Sequence, residues 1–123
     1  MAFSPRLKPP PSSPNCVSSL ADASDPVHHI APLRVPGPIE EALGRVKAVV
    51  EAMPRTRITT VEDDYLHAVF TTAIFRWKDD VEFQVDADAG VVHVRSASRV
   101  GYGDLGANRK RVEAIRSALG TAG

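Results

Sequence analysis

The sequence predicts an α+β fold: an antiparallel sheet of four to five strands packed against two helices. Three observations carry this expectation. Ile39, Leu43, Val46, Val50 and Met53 step by four, three, four and three, a single apolar stripe at helical spacing. Between Thr56 and Ser98 the period falls to two, in short segments joined by tight turns, which makes neighbouring strands antiparallel. Val112, Ile115 and Leu119 then restore the helical period near the end of the chain.

Residues 1–37 hold eight of the ten prolines. Proline fixes φ and lacks an N–H donor, so this stretch is neither regular helix nor central strand. Residues 1–13 are expected to form a disordered tail, and residues 14–120 one domain. Cys16, Val17, Leu20, Val27, Ile30, Leu33 and Val35 give residues 15–35 apolar content, and this segment is expected to lie as an extended arm on the body. The first helix is expected to start at Pro38, after Gly37, with Glu40 and Glu41 at its positive dipole end and Pro54 as its stop.

The strand-like segments follow in order. Thr56–Val61 is rich in β-branched residues, and Glu62, Asp63 and Asp64 form a turn. In 65–72, Leu66, Ala68 and Phe70 share one face while Tyr65, His67 and Val69 share the other. Ile74–Trp77 leads into a break at Lys78, Asp79 and Asp80, and Phe75 and Trp77 are expected in the core. Val81, Phe83 and Val85 alternate with Glu82, Gln84 and Asp86, the pattern of a half-buried strand. After a turn ending at Gly90, Val92 and Val94 oppose His93 and Arg95. Asp104 is the expected N-cap of the last helix, and Gly120 its left-handed terminator.

Fifteen basic and fifteen acidic residues cancel, so overall charge supports no nucleic-acid partner, and none is expected. The single cysteine, Cys16, excludes an intramolecular disulfide. No run of about 18 apolar residues occurs, so no membrane span is expected. Pro9, Pro10 and Pro11 stand where a secretion signal needs an apolar run, which makes the cytoplasm the expected compartment.

One segment is chemically out of place for a purely structural role. Arg95, Arg99, Arg109, Lys110 and Arg111 gather around the start of the last helix, interleaved with Ser96, Ser98, Tyr102 and Asn108. Cations are mildly unfavourable at a positive dipole end, whereas free N–H groups beside guanidinium groups attract anions. An anionic small molecule is therefore the expected ligand, with Arg95, Ser96, Ser98, Arg99, Tyr102, Asn108, Arg109 and Arg111 as candidate contacts. The alternative is that Asp104, Glu113 and the aspartates at 79–80 pair with these arginines and only pin the helix.

Cys16 and His67 are candidates for a nucleophile and its base, provided that the fold brings them together. No zinc spacing is present, and His28 and His29 are adjacent, so no metal and no cofactor is expected. A protein–protein interaction module without small-molecule chemistry is the second functional class. An exposed Trp77 favours it. A Cys/His enzyme is the third, and the residues lean away from it.

Three strings, read together, resemble a known family. They are Asn15-Cys16-Val17-Ser18-Ser19; Asp64-Tyr65-Leu66-His67-Ala68 with Asp79-Asp80-Val81-Glu82-Phe83; and Val94–Tyr102, leading through Asp104-Leu105-Gly106 into Asn108–Val112. The family is that of domain of unknown function 1499 (DUF1499), and the resemblance runs from about residue 14 to residue 119. It implies no activity. The family's characteristic positions would fall here on Asn15, Ser18, His67, Arg95, Ser96, Ser98, Arg99, Asp104, Asn108 and Arg109.

Overall fold

The computed structural model describes residues 3–120. It contains β1 (Cys16–Ser18), a 3₁₀ turn (Ile39–Glu41), α1 (Ala42–Glu51), β2 (Thr56–Val61), β3 (Tyr65–Thr71), β4 (Lys78–Asp86), β5 (Val91–Ser98) and α2 (Ala107–Leu119). The sheet is antiparallel throughout, in the order β1-β5-β4-β3-β2. This is the expected α+β class. The arm supplies the fifth strand, since Cys16–Ser18 pairs with Arg95–Ala97 at one edge.

Alternation decides the two faces of the sheet. Leu66, Ala68 and Phe70 of β3, Val81 and Phe83 of β4, and Val92 and Val94 of β5 all face the helices. There they join Val46 and Val50 of α1 and Val112 and Ile115 of α2 in one apolar cluster. Ile30 and Leu33 of the arm close its side, and Leu33 exchanges two backbone hydrogen bonds with Val92.

Residues 4–8, part of the expected tail, run along the other, polar face. Gln84 accepts from the Arg6 amide (2.8 Å) and donates to the Ser4 carbonyl (2.9 Å), and Leu7 is buried.

Four local expectations need correction. Pro38 is an extended N-cap to the 3₁₀ turn, so the α-helix proper begins only at Ala42. Lys78, Asp79 and Asp80 open β4 instead of breaking it. The chain turns through 72–77, so Phe75 and Trp77 lie outside the core, 68% and 48% exposed and stacked on each other. Asp104 caps α2 from outside, because Gly106 in the left-handed conformation occupies the N-cap position. Asp104 Oδ1 accepts from the Gly106 amide and Oδ2 from the Asn108 amide. Gly120 terminates α2 as expected, at φ 70°.

Candidate functional site

The start of α2 is a buried polar network. Asn108 is fully buried, and its amide group donates to the Asn15 carbonyl (3.2 Å), Ser98 Oγ (3.0 Å) and Asp104 Oδ2 (2.6 Å). Its Oδ1 accepts from Ser96 Oγ (2.6 Å) and Arg111 Nη1 (2.7 Å). Asn15 in turn donates to the Gly101 carbonyl (2.7 Å). Five sequence candidates, Asn15, Ser96, Ser98, Asn108 and Arg111, thus come together. They saturate one another, and no buried side-chain polar atom among the described residues lacks a partner.

The arginines of this segment do not converge on a cavity. Arg111 forms an ion pair with buried Asp79 (2.7 Å) and lies over the Phe70 ring. Arg99 makes two contacts to Asp80, 2.8 and 2.9 Å. Arg95 lies 3.9 Å from Glu82 and donates to the Lys8 carbonyl. Arg109 donates to the carbonyls of Val27 and His29. The aspartates at 79–80 therefore do what the alternative reading required of them, while Glu113 pairs with Arg116 and Asp104 with Asn108. Tyr102 is exposed and makes no hydrogen bond within this network.

Cys16 and His67 are not brought together. They sit on β1 and β3, with β5 and β4 between them, at least about 14 Å apart from the three inter-strand spacings alone. Cys16 is fully buried, and burial pushes its thiol pKa up, away from a reactive thiolate. His67 instead contacts Asp80 (2.8 Å), whose carboxyl is held low first by Arg99 and then by His67. β4 also separates His67 from His93. Ser18 is buried and accepts from the Leu20 amide, a turn contact. Tyr65 donates to Glu82, and burial, followed by that carboxylate, raises its pKa. Among the described residues, no group of three or more His, Cys, Asp or Glu is placed to hold a metal ion.

His28 ties parts of the arm to each other. Its Nδ1 lies 2.7 Å from Asp25 Oδ2 and its Nε2 2.8 Å from the Ser13 carbonyl. Both partners only accept, so the doubly protonated ring satisfies both contacts. The Ser13 carbonyl, then Asp25, raises the pKa above 6.5. A raised folded-state pKa gives stability that is complete below 6.5 and lost as pH climbs through the raised value. The thermal midpoint is thus expected to fall over that window, and His28→Gln should flatten the fall. An unchanged profile in the variant would show that the arm owes nothing to the protonated ring.

The sequence reading missed a second gathering of cations. Arg55, Arg57, Arg76 and Lys78 line an open concavity of about 620 Å³, together with Thr56, Val69 and Thr71. The geometry follows from strand period and order. Arg57 on β2 is paired with Val69 on β3, and Thr71 is paired with Lys78 on β4. Side chains two residues apart share a face, so short Val69 and Thr71 form the floor between two cationic walls. Those walls stand two inter-strand spacings apart, about 10 Å.

Among the described residues no carboxylate lines this cavity. Arg55 donates to the Thr71 carbonyl, while Arg57, Arg76 and Lys78 have no side-chain hydrogen bond or ion pair among the described residues. Arg55 and Arg76 are both at φ 58°, a left-handed conformation that costs an L-residue about 1–2 kcal/mol. The available signal was Arg55-Thr56-Arg57 and Arg76-Trp77-Lys78, two i,i+2 cation pairs that open alternate strands of a meander.

The model of the family described as "Protein of unknown function (DUF1499)" matches residues 6–119. No curated protein matches the chain.

Proposed function

The chain belongs to the DUF1499 family, and we propose that it is a non-catalytic binding module for an anionic small molecule bearing phosphate or carboxylate. The ligand class is the one the sequence suggested, but the site moves from the start of α2 to the concavity between β2 and β4. One observation carries the reading: four cations face a common open space that, among the described residues, no carboxylate lines. Cations brought together without counter-charges repel one another, and an anion between them relieves that repulsion. The left-handed Arg55 and Arg76 agree with this, because backbone strain persists where a site needs it. A lone, buried thiol fits a cytoplasmic setting.

Isothermal titration with inorganic pyrophosphate tests the proposal. Wild type is expected to bind, and binding should weaken as salt rises. Arg76→Gly and Lys78→Ala should each lower affinity about tenfold, the effect of one charge-assisted contact. Glycine adopts left-handed φ without strain, so Arg76→Gly should be at least as stable as wild type, which separates lost binding from unfolding. No heat with pyrophosphate, or wild-type affinity in both variants, overturns the reading.

A further inference from the structure

Exposed apolar side chains are concentrated at one end of the molecule. Of the eight large hydrophobic residues that are exposed among the described residues, six lie in two loops: Ile74, Phe75 and Trp77 between β3 and β4, and Val100, Tyr102 and Leu105 between β5 and α2. Leu105 is 98% exposed and Ile74 83%. The two loops flank an open cleft of about 460 Å³. Isolated exposed apolar residues are ordinary, but a contiguous cluster marks a contact surface.

Charge decides what covers it. Arg76 of the β3–β4 loop and Lys78 at the start of β4 line the cationic concavity, while Ile74, Phe75 and Trp77 of the loop line the apolar cleft. Arg55 and Lys110 border the same end beside Thr72. The turn holding Glu62, Asp63 and Asp64 lies at the opposite end, next to Glu40 and the start of α1. Asp79 and Asp104 line the cleft as well, but Arg111 holds the first and Asn108 the second. Apolar loop tips with Trp and Tyr beside them, flanked by cations without carboxylate partners among the described residues, thus match the interface of an anionic bilayer.

We propose that this end docks onto membranes containing anionic phospholipid. The loop residues 74–77 and 100–105 enter the headgroup boundary, and Arg55, Arg76, Lys78 and Lys110 meet lipid phosphates. The inference rests on the cationic concavity as an anion site and names the lipid headgroup as the source of the anion. Near-total exposure at Leu105 and Ile74 favours a fluid partner, which needs no complementary pocket for each tip.

Trp77 is the only tryptophan in the chain, so its emission reports on this loop alone. The test uses the full chain with phosphatidylcholine vesicles, prepared with or without phosphatidylglycerol. Flotation and a blue shift of Trp77 are expected with the anionic vesicles only, both reversed by salt. Leu105→Ser and Ile74→Ser should each lower partitioning about tenfold, with pyrophosphate titration unchanged. Arg76→Gly should lower partitioning about five-fold and weaken pyrophosphate as well. Equal partitioning onto both vesicle types overturns the inference. So does an absence of flotation with anionic vesicles, including the case in which Trp77 is covered by a protein partner instead. If pyrophosphate binds and vesicles do not, only the membrane inference falls; if neither binds, the anion site falls too.

Discussion

Arg111→Ala is expected to lower folding stability by about 3–5 kcal/mol, the usual effect of removing one partner from a buried ion pair. Asp79 is 2% exposed and faces the helices from the start of β4, where Arg111 is its only ion-pair partner among the described residues. Without the guanidinium group its carboxylate is left beside Phe70, almost fully buried and with no counter-charge. Arg111 also donates to Asn108 and Ser96, so those acceptors lose a partner as well. For a domain near 100 residues the loss corresponds to a thermal midpoint at least about 12 °C lower. Replacing the pair together, Asp79→Leu with Arg111→Met, should recover most of the loss, because an apolar pair has no charge to desolvate. A single variant within about 1 kcal/mol of wild type would mean that water reaches Asp79 and that the pair does not hold α2 to the sheet.

The same pair shows which parts of the fold the sequence could convey. Periodicity is a local property, so the stripe from Leu43 to Val50 and the alternation from Val81 to Val85 were legible, and both end in the core. Pairing is not local. Asp79 reaches Arg111 only because β4 runs beside β5 in the register Asp79↔Ser98, which leads the chain into α2. Read along the chain, five cations near one helix start look like excess positive charge. Read across the sheet, Arg95, Arg99 and Arg111 meet carboxylates of β4, and Arg109 meets the arm.

Phe75 and Trp77 failed for a related reason. Alternation with Arg76 and Lys78 imitates a strand, but the paired strands end at Thr71↔Lys78, a last backbone bond from the Thr72 amide to the Trp77 carbonyl closes the turn, and the aromatics fall in the connecting loop. The cations of the concavity were overlooked because they occur two at a time, about twenty residues apart. Only the intervening strand makes them one group.

Asn108→Ala is the substitution that separates the two placements of the ligand site. Removing the amide leaves the Asn15 carbonyl and Ser96 Oγ buried with fewer partners, and it strips a contact from Ser98, Asp104 and Arg111. The Asn15 carbonyl keeps the Ser98 amide and Ser96 Oγ keeps Arg111, so at about 1–3 kcal/mol for a buried group left unsatisfied the expected loss is about 1–3 kcal/mol. In urea the midpoint should fall with the slope unchanged, since the native surface stays the same. Combined with Arg111→Ala the losses should sum to less than their parts, because both variants delete the same Arg111–Asn108 bond. Pyrophosphate affinity, measured where the variant is still folded, should match wild type, because Asn108 lies on the helix side of the sheet and the concavity on the other. A folded Asn108→Ala protein that no longer binds pyrophosphate would return the ligand to the start of α2, and the cationic walls of β2 and β4 would lose their assigned role.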